Sequence, residues 1–310
     1  MSDTLSLPSC FHQPIHLGPL PLQPFGILVA TGVLFGAWIT RLRARYLGVD
    51  ENEVRTLDGY VLVAGFLGAH VFDAIFYNWQ KLKVEPWLLF KVWEGISSYG
   101  GFLGAAIGFV AFCRIHKVKR PLVYADILVW GLLPGFAFGR MGCTTVFDHP
   151  GGHTDFFLGM VYPYANLIRE GVQPGDVIHN LGLYELIFLI FLIGVVTLVT
   201  WAGRKRPVGF VAGITCMAYG PVRFMLDFLR WDQTDPRELG LTFAQYVSIA
   251  TFLIGIAVMW RAYTAPKWDP EEEKFYRDGE KIAAEKTGQS AKKKSDGGSS
   301  SAKKKRKKHK

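Results

Sequence analysis

Long apolar stretches broken by short polar clusters dominate the pattern of this chain. They fall near 21–40, 57–77, 96–113, 122–138, 181–201, 207–227 and 241–260. A bilayer core about 30 Å thick takes about 20 apolar residues of helix to cross. The pattern therefore predicts an all-α membrane protein with seven transmembrane helices, and excludes a soluble globular one. The second and third stretches carry polar interruptions. Gly100, Gly104 and Gly108 recur every fourth residue in the third span, and Gly32 and Gly36 do so in the first. Such stripes of small residues let two helices approach closely.

The polar clusters between the spans set an orientation. Arg41, Arg43, Arg45 and Arg55 follow span one, and Arg114, Lys117, Lys119 and Arg120 follow span three. Arg204, Lys205 and Arg206 follow span five, and a basic tail follows span seven. Excess Lys and Arg marks the cytoplasmic side, and the first 19 residues hold neither. The N-terminus is expected outside and the C-terminus in the cytoplasm. Loops 78–95, 139–180 and 228–240 then lie outside. Trp79, Trp87 and Trp93 place the first loop at the membrane interface, near 84–92. The second is long and rich in Gly, His, Asp and Tyr, which favours a functional loop.

Charge sharpens the division of the chain. Residues 261–310 hold 16 basic and 8 acidic residues, and the rest holds 19 and 18. A nearly neutral apolar body, 1–263, thus carries a basic extension, 264–310, which begins with the acidic patch Asp269–Glu273 and ends in Lys303–Lys310. Its Ser, Gly and Lys content predicts a disordered cytoplasmic tail, with contact to anionic lipid as one use. A nucleic-acid partner is not expected, because such a protein carries its positive charge on a folded surface. The four cysteines, Cys10, Cys113, Cys143 and Cys216, lack the spacing of a disulfide scaffold or zinc ribbon. Leu7-Pro8-Ser9-Cys10 lacks the basic start and apolar run of a lipoprotein leader, and no secretory signal is expected. No internal repeat is evident, which weighs against an inverted-repeat transporter.

Ionisable residues inside a membrane are expensive, about 3 kcal/mol or more each, so each is a functional hypothesis. Here they gather at the outer ends of the spans: His70 and Asp73, Tyr99, Arg140, His179 with Tyr184 and Glu185, and Arg223, Asp227 and Arg230. Three arginines near one depth suit a phosphate, since guanidinium offers planar, multiple donors. The alternative is plain ion pairing, Arg223 with Asp227 and Arg140 with Asp148. His149 and His153 with a nearby carboxylate have the right types for a metal, but the intervening Pro150-Gly151-Gly152 keeps them off a helix. No metal and no cofactor are expected.

These clusters resemble the motifs of the prolipoprotein diacylglyceryl transferase family, in order, from about Pro14 to Ala262. Leu22-Gln23-Pro24-Phe25-Gly26 resembles the family's opening segment, and Tyr99-Gly100-Gly101-Phe102-Leu103-Gly104 its His-Gly-Gly motif. Gly139-Arg140-Met141-Gly142-Cys143, with Asp148 and Gly151, resembles the signature that begins Gly-Arg-x-Gly-Asn. His179-Asn180-Leu181-Gly182-Leu183-Tyr184-Glu185 is similar to His-Pro-Ser-Gln-Leu-Tyr-Glu. Arg223, Asp227, Phe228 and Arg230 match the end of span six, and Leu241-Thr242-Phe243-Ala244-Gln245 the closing Leu-Ser-x-x-Gln. The departures are Tyr99 for the family histidine, Cys143 and Val146 for asparagines, His70 for an arginine and Phe25 for the usual tyrosine.

The resemblance implies a seven-span enzyme of the bacterial inner membrane. It implies transfer of a diacylglyceryl group from phosphatidylglycerol to the lipobox cysteine thiol of secreted prolipoproteins, with glycerol phosphate released. Arg140 and Arg230 would hold the phosphate, and Tyr99 or His179 would stand where a base is needed. Arg223, Asp148, Gly142, Gly100, Gly101, Tyr184, Glu185 and His70 would line the substrate site. A transferase with another acceptor, or a non-catalytic phospholipid-binding protein of the same fold, competes with this reading. Partners are thus membrane lipid, phosphatidylglycerol and lipobox-containing prolipoproteins.

Overall fold

The computed structural model describes residue 6 and residues 15–17, 20–91, 95–163, 172–201, 206–231 and 237–264. Trp93, Arg204, Lys205 and the basic tail beyond Thr264 lie outside the described residues. Eight helices are described: α1 (Pro24–Leu47), α2 (Glu51–Phe72), α3 (Trp79–Val84), α4 (Ser98–Ile115), α5 (Pro121–Val146), α6 (Leu181–Trp201), α7 (Phe210–Leu226) and α8 (Phe243–Thr264). Helix α2 runs on as a π-helical turn through Asp73–Tyr77. Among the described residues, α1, α2 with its extension, α4, α5, α6 and α8 are long and apolar enough to cross a membrane. The chain is therefore an α-helical, multi-pass membrane protein. Helix α7, at 17 residues, is shorter. Exposed Leu34, Trp38, Val63, Phe66, Ile107, Ile190, Phe191, Leu253 and Trp260 give these helices apolar outer surfaces, as a lipid solvent requires.

Glycine seams join the helices in pairs. A Cβ on Gly104 would stand 2.2 Å from the Ala64 carbonyl oxygen, and one on Gly68 would stand 2.6 Å from that of Gly100. The predicted stripe in α4 therefore meets a matching glycine on α2. Gly32 and Gly36 of α1 press likewise on Gly135 and Gly131 of α5, and Gly213 and Gly220 of α7 on Met259 and Ser248 of α8. Helices α5, α6 and α7 share an apolar core of Leu133, Leu189, Leu192, Val196, Phe210 and Val211. Asp126 on α5 accepts hydrogen bonds from the amides of Gly209 (2.7 Å) and Ala212 (2.9 Å), satisfying orphan donors at the start of α7.

The region expected as an outer loop from 139 differs in two ways. Helix α5 continues to Val146, so Arg140 and Gly142 sit on a helix rather than at a loop edge. Among the described residues that follow, a small antiparallel sheet forms in the order β3 (Pro150–His153), β5 (Val177–Asn180), β4 (Met160–Val161). Strands β1 (Ile15–Leu17) and β2 (Leu20–Leu22) pair ahead of α1, so the fold is helical with two short β additions. Phe147, Met160, Tyr162, Val172 and Ile178 make a separate core under the three-stranded sheet.

Candidate functional site

A cavity of about 1090 Å³ opens among α2, α4, α5, α7 and α8. One part of its wall is apolar, with Leu103, Ala106, Leu132, Phe136, Ala250 and Ile254. Another is polar, with Tyr99, Arg140, Asp148, His149, Arg223 and Arg230.

Three acidic or phenolic groups hold the arginines. Glu185, 1% exposed, lies 2.7 Å from Arg140 Nε and 3.3 Å from Arg223 Nε. The Tyr219 hydroxyl donates to the same carboxylate at 2.8 Å and accepts from Arg140 Nη2 at 3.4 Å. Asp227, fully buried, accepts from Arg223 Nη1 at 2.9 Å and lies 3.9 Å from Arg230 Nη1. Of the two pairings expected for the arginines, one is found among the described residues. Arg223 does pair with Asp227, while the close ion pair of Arg140 is with Glu185 on the neighbouring helix. Arg140 Nη1 points at the Cys143 sulfur, 3.8 Å away.

The chain around these groups explains why they sit there. Thr242 and Gln245 form a reciprocal cap at the start of α8. The Gln245 amide donates to Thr242 Oγ1 at 3.2 Å, and the Thr242 amide donates to Gln245 Oε1 at 3.0 Å. The Thr242 hydroxyl then donates to Asp227, so α8's cap fixes the carboxylate between the arginines. Gly151 pairs with Arg230 in an isolated antiparallel bridge. A Cβ there would stand 2.6 Å from both the Leu229 carbonyl and the His179 side chain, so only glycine lets the Arg230 backbone lie against the sheet. Asn180 accepts from the Leu183 amide and donates to the Thr144 carbonyl, joining the start of α6 to the end of α5.

The remaining expected site residues divide between the cavity wall and its surroundings. His70 is buried, its ring nitrogens 3.3 Å and 3.0 Å from the carbonyl oxygens of Gly95 and Leu88, and it anchors that segment to α2. His179 faces Tyr184, Nδ1 2.8 Å from the hydroxyl, and neither lines the cavity. Burial holds the His179 ring below its ordinary pKa. Gly100 and Gly101 face α2, and Gly142 faces the Phe25 ring. These glycines serve packing. Tyr99 does line the cavity, edge-on to Phe243 with centroids 5.1 Å apart. Burial raises the Asp148 carboxyl above its ordinary range, opposed by a hydrogen bond from Cys143 and by Arg140 and Arg230.

One participant was missed in the sequence, Tyr219, and Thr242 was singled out there only within the closing motif. Thr242-x-x-Gln245 is a legible capping signature. Tyr219 gave no signal beyond being a polar aromatic one helical turn before Arg223. The described residues also bring Cys143, Asp148 and His149 together as possible metal ligands.

The family model for prolipoprotein diacylglyceryl transferases matches residues 13–261. A phosphatidylglycerol–prolipoprotein diacylglyceryl transferase of Chromohalobacter salexigens is 32% identical over 265 residues, covering 82% of this chain and 93% of the relative. Its namesake in Legionella pneumophila subsp. pneumophila is 31% identical over 267 residues, 83% and 98% of the two chains. That of Cupriavidus pinatubonensis is 29% identical over 275 residues, 86% and 96%. The matched stretch reaches every helix described above and the arginine-lined cavity between them, and the chain belongs to the prolipoprotein diacylglyceryl transferase family.

Proposed function

We propose that this chain transfers the diacylglyceryl group of phosphatidylglycerol to the cysteine thiol of prolipoproteins in a bacterial inner membrane. The observation that carries the reading is the cavity itself: an apolar wall continuous with a polar end built from three arginines. That is the shape of a phospholipid, acyl chains against carbon and phosphate against guanidinium. The names of the relatives agree with it.

The phosphate rests on Arg140 and Arg230, with Arg223 beside them. Glu185 and Asp227 occupy one side of each buried fork and so fix where the remaining N–H groups point. The thiolate of the acceptor is the nucleophile. It attacks the glycerol carbon bearing the phosphate ester, a thioether forms, and glycerol phosphate leaves. Charge grows on the leaving phosphate, where fixed cationic donors stabilise the transition state. Tyr99 offers a phenol, a group whose reference pKa of about 10 makes it a weak base at neutral pH. His179 lies against Tyr184, which leaves deprotonation of the thiol to another group.

Helix α7 is read as the seventh span, crossing with the adjoining turns at 206–209 and 227–229. The N-terminus then lies outside, the β3–β5–β4 sheet outside and the C-terminus in the cytoplasm, as the Lys and Arg bias supports.

The test is complementation of a bacterial strain depleted of its own diacylglyceryl transferase, with Arg140→Lys as the companion variant. Growth with the wild-type chain is expected. Loss of growth is expected with Arg140→Lys, because a point ammonium lacks the planar fork. Full rescue by Arg140→Lys at equal expression refutes the phosphate assignment. Failure of the wild-type chain, when purified chain still binds phosphatidylglycerol, favours a non-catalytic lipid-binding protein.

A further inference from the structure

Among the described residues two carboxylates line the cavity, Asp73 and Asp148, and they keep different company. Asp148 lies in the field of Arg140 and Arg230 and takes a hydrogen bond from Cys143. Asp73 follows α2, on the wall that α2 shares with α4, and among the described residues it makes no ion pair. Its Oδ2 accepts from Asn78 Nδ2 at 2.7 Å. A carboxylate neutralised by a guanidinium is a poor proton acceptor, so of the two Asp73 is the one suited to take a proton.

The chain around Asp73 is built to hold it at the cavity. Asp73 opens the π-helical turn through Tyr77, and the Asn78 amide donates to the Asp73 carbonyl at 3.0 Å. Such turns are rare and occur frequently at functional sites. Gly95 stands at φ 73°, and a Cβ there would collide with Asp73 Oδ2, so this glycine makes room for the carboxylate. His70, one turn earlier, is turned to the carbonyl oxygens of Gly95 and Leu88, and the Ser97 amide donates to the Ala69 carbonyl at 3.0 Å. The other titratable groups on this wall are Tyr77 and Tyr99, and a phenol, with a reference pKa of about 10, is a weak base at neutral pH.

Displacement at a carbon runs in line, with the nucleophile entering opposite the leaving group. Arg140 belongs to α5, Arg223 to α7 and Arg230 to the chain just beyond it. Asp73 stands on the facing wall with Ser97, Ser98 and Tyr99. A thiol beside Asp73 therefore meets the glycerol carbon from the side away from a phosphate held by the arginines.

We propose that Asp73 is the catalytic base of the transfer and takes the proton of the acceptor thiol. The role rests on the transferase reading above. The S–H proton passes to an Asp73 carboxylate oxygen as the sulfur attacks the glycerol carbon. The C–S bond forms as the C–O bond to phosphate breaks, and the electron pair leaves on glycerol phosphate. The protonated carboxyl then gives its proton to water, and nothing is oxidised or reduced.

The full chain is purified in detergent and assayed for transfer from phosphatidylglycerol to a lipobox peptide. Asp73→Asn keeps an oxygen for Asn78 and loses the base. At pH about 6.5 its kcat/KM should fall at least a hundredfold, the ordinary scale of general-base catalysis, while phosphatidylglycerol binding stays within threefold of wild type and thermal unfolding confirms the fold. The deficit should shrink at least tenfold as pH rises to about 8.5, where a free thiol ionises and a thiolate needs no base. A selenocysteine peptide, already ionised at neutral pH, should erase most of it. Asp73→Ser, smaller and still an acceptor for Asn78, is read in the same way should Asp73→Asn not fold. If Asp73 only clamps the Gly95 segment, the deficit is the same at every pH and for both peptides, and that result overturns the proposal. So does an Asp73→Asn chain within threefold of wild type at the lower pH. Both results leave the transferase reading standing. No transfer by the wild-type chain to either peptide, with phosphatidylglycerol bound, overturns the transferase reading and the base role with it.

Discussion

Replacing Glu185 by Gln removes one negative charge from the interior and keeps the side chain's shape. The carboxylate is 1% exposed and faces Arg140 at 2.7 Å and Arg223 at 3.3 Å. Arg223 retains Asp227 at 2.9 Å, so the loss falls mainly on Arg140. Two unit charges 4 Å apart interact by about 4 kcal/mol at an effective dielectric of 20. Removing one member of a buried pair is measured at about 3–5 kcal/mol. Glutamine still accepts from the Tyr219 hydroxyl, so shape and that hydrogen bond are not the cause. At about 2–4 °C per kcal/mol for a chain of this size, Tm should fall by roughly 10 °C. Thermal unfolding in detergent reads it, followed by a thiol-reactive fluorophore on the half-buried Cys113, Cys143 and Cys216. Adding Arg140→Met to Glu185→Gln should recover part of the loss, because no unpaired charge then remains at that position. A Glu185→Gln chain that unfolds within about 1 °C of wild type, less than 1 kcal/mol on the same scale, refutes the reasoning. So does a double variant no more stable than the single one.

Gly104→Leu should separate α2 from α4 and abolish folded protein in the membrane, since even a Cβ would stand 2.2 Å from the Ala64 carbonyl oxygen; size-exclusion chromatography after detergent extraction checks it. Asp176 accepts from the Gln173 amide at 2.7 Å and lies 2.9 Å from His153 Nε2, and these partners lower its pKa. Its contribution is therefore present above the unfolded pKa of about 4 and lost as pH falls through the lower folded value. The Tm difference between wild type and Asp176→Asn should shrink over that acid window, and a constant difference refutes it. For topology, a cysteine placed at 239 should react with an impermeant reagent from outside and one at 119 should not, in a background without other thiols; the reverse pattern overturns the orientation.

Much of the helical framework is legible in hydropathy because each span is apolar over most of its length. The glycine stripes in α1 and α4 were readable too, since their period of four needs no partner to be seen. The end of α5 was not. Gly139, Gly142, Thr144 and Thr145 look like a loop by propensity, yet packing of Gly142 on Phe25 and the Asn180 hydrogen bond to Thr144 hold them helical. Tertiary contact overrides propensity there. Arg140's partner was also illegible. Sequence proximity suggests Asp148, whereas Glu185 reaches it only through the rotation of α6 against α5. His70 and His179 show the same limit: their chemistry was visible, but which carbonyl or hydroxyl they would face depended on how each segment turned.

The helix seams have a mechanical consequence. Helix α4 has its close backbone packing on α2, and it meets the other helices across the cavity through ring edges, Phe102 on Phe136 and Tyr99 on Phe243. Phe72 of α2 likewise touches Phe243. Aromatic edges slide at small energetic expense, while the glycine contacts admit no slack. The α2–α4 pair is thus a stiff plank, joined to α1 through α2 and to the far side of the cavity by soft rollers. Swinging it outward widens one wall of the chamber without disturbing the Glu185–Asp227 scaffold, which belongs wholly to the opposite wall. An outward swing of that pair would open the cavity sideways while the charged end keeps its geometry throughout.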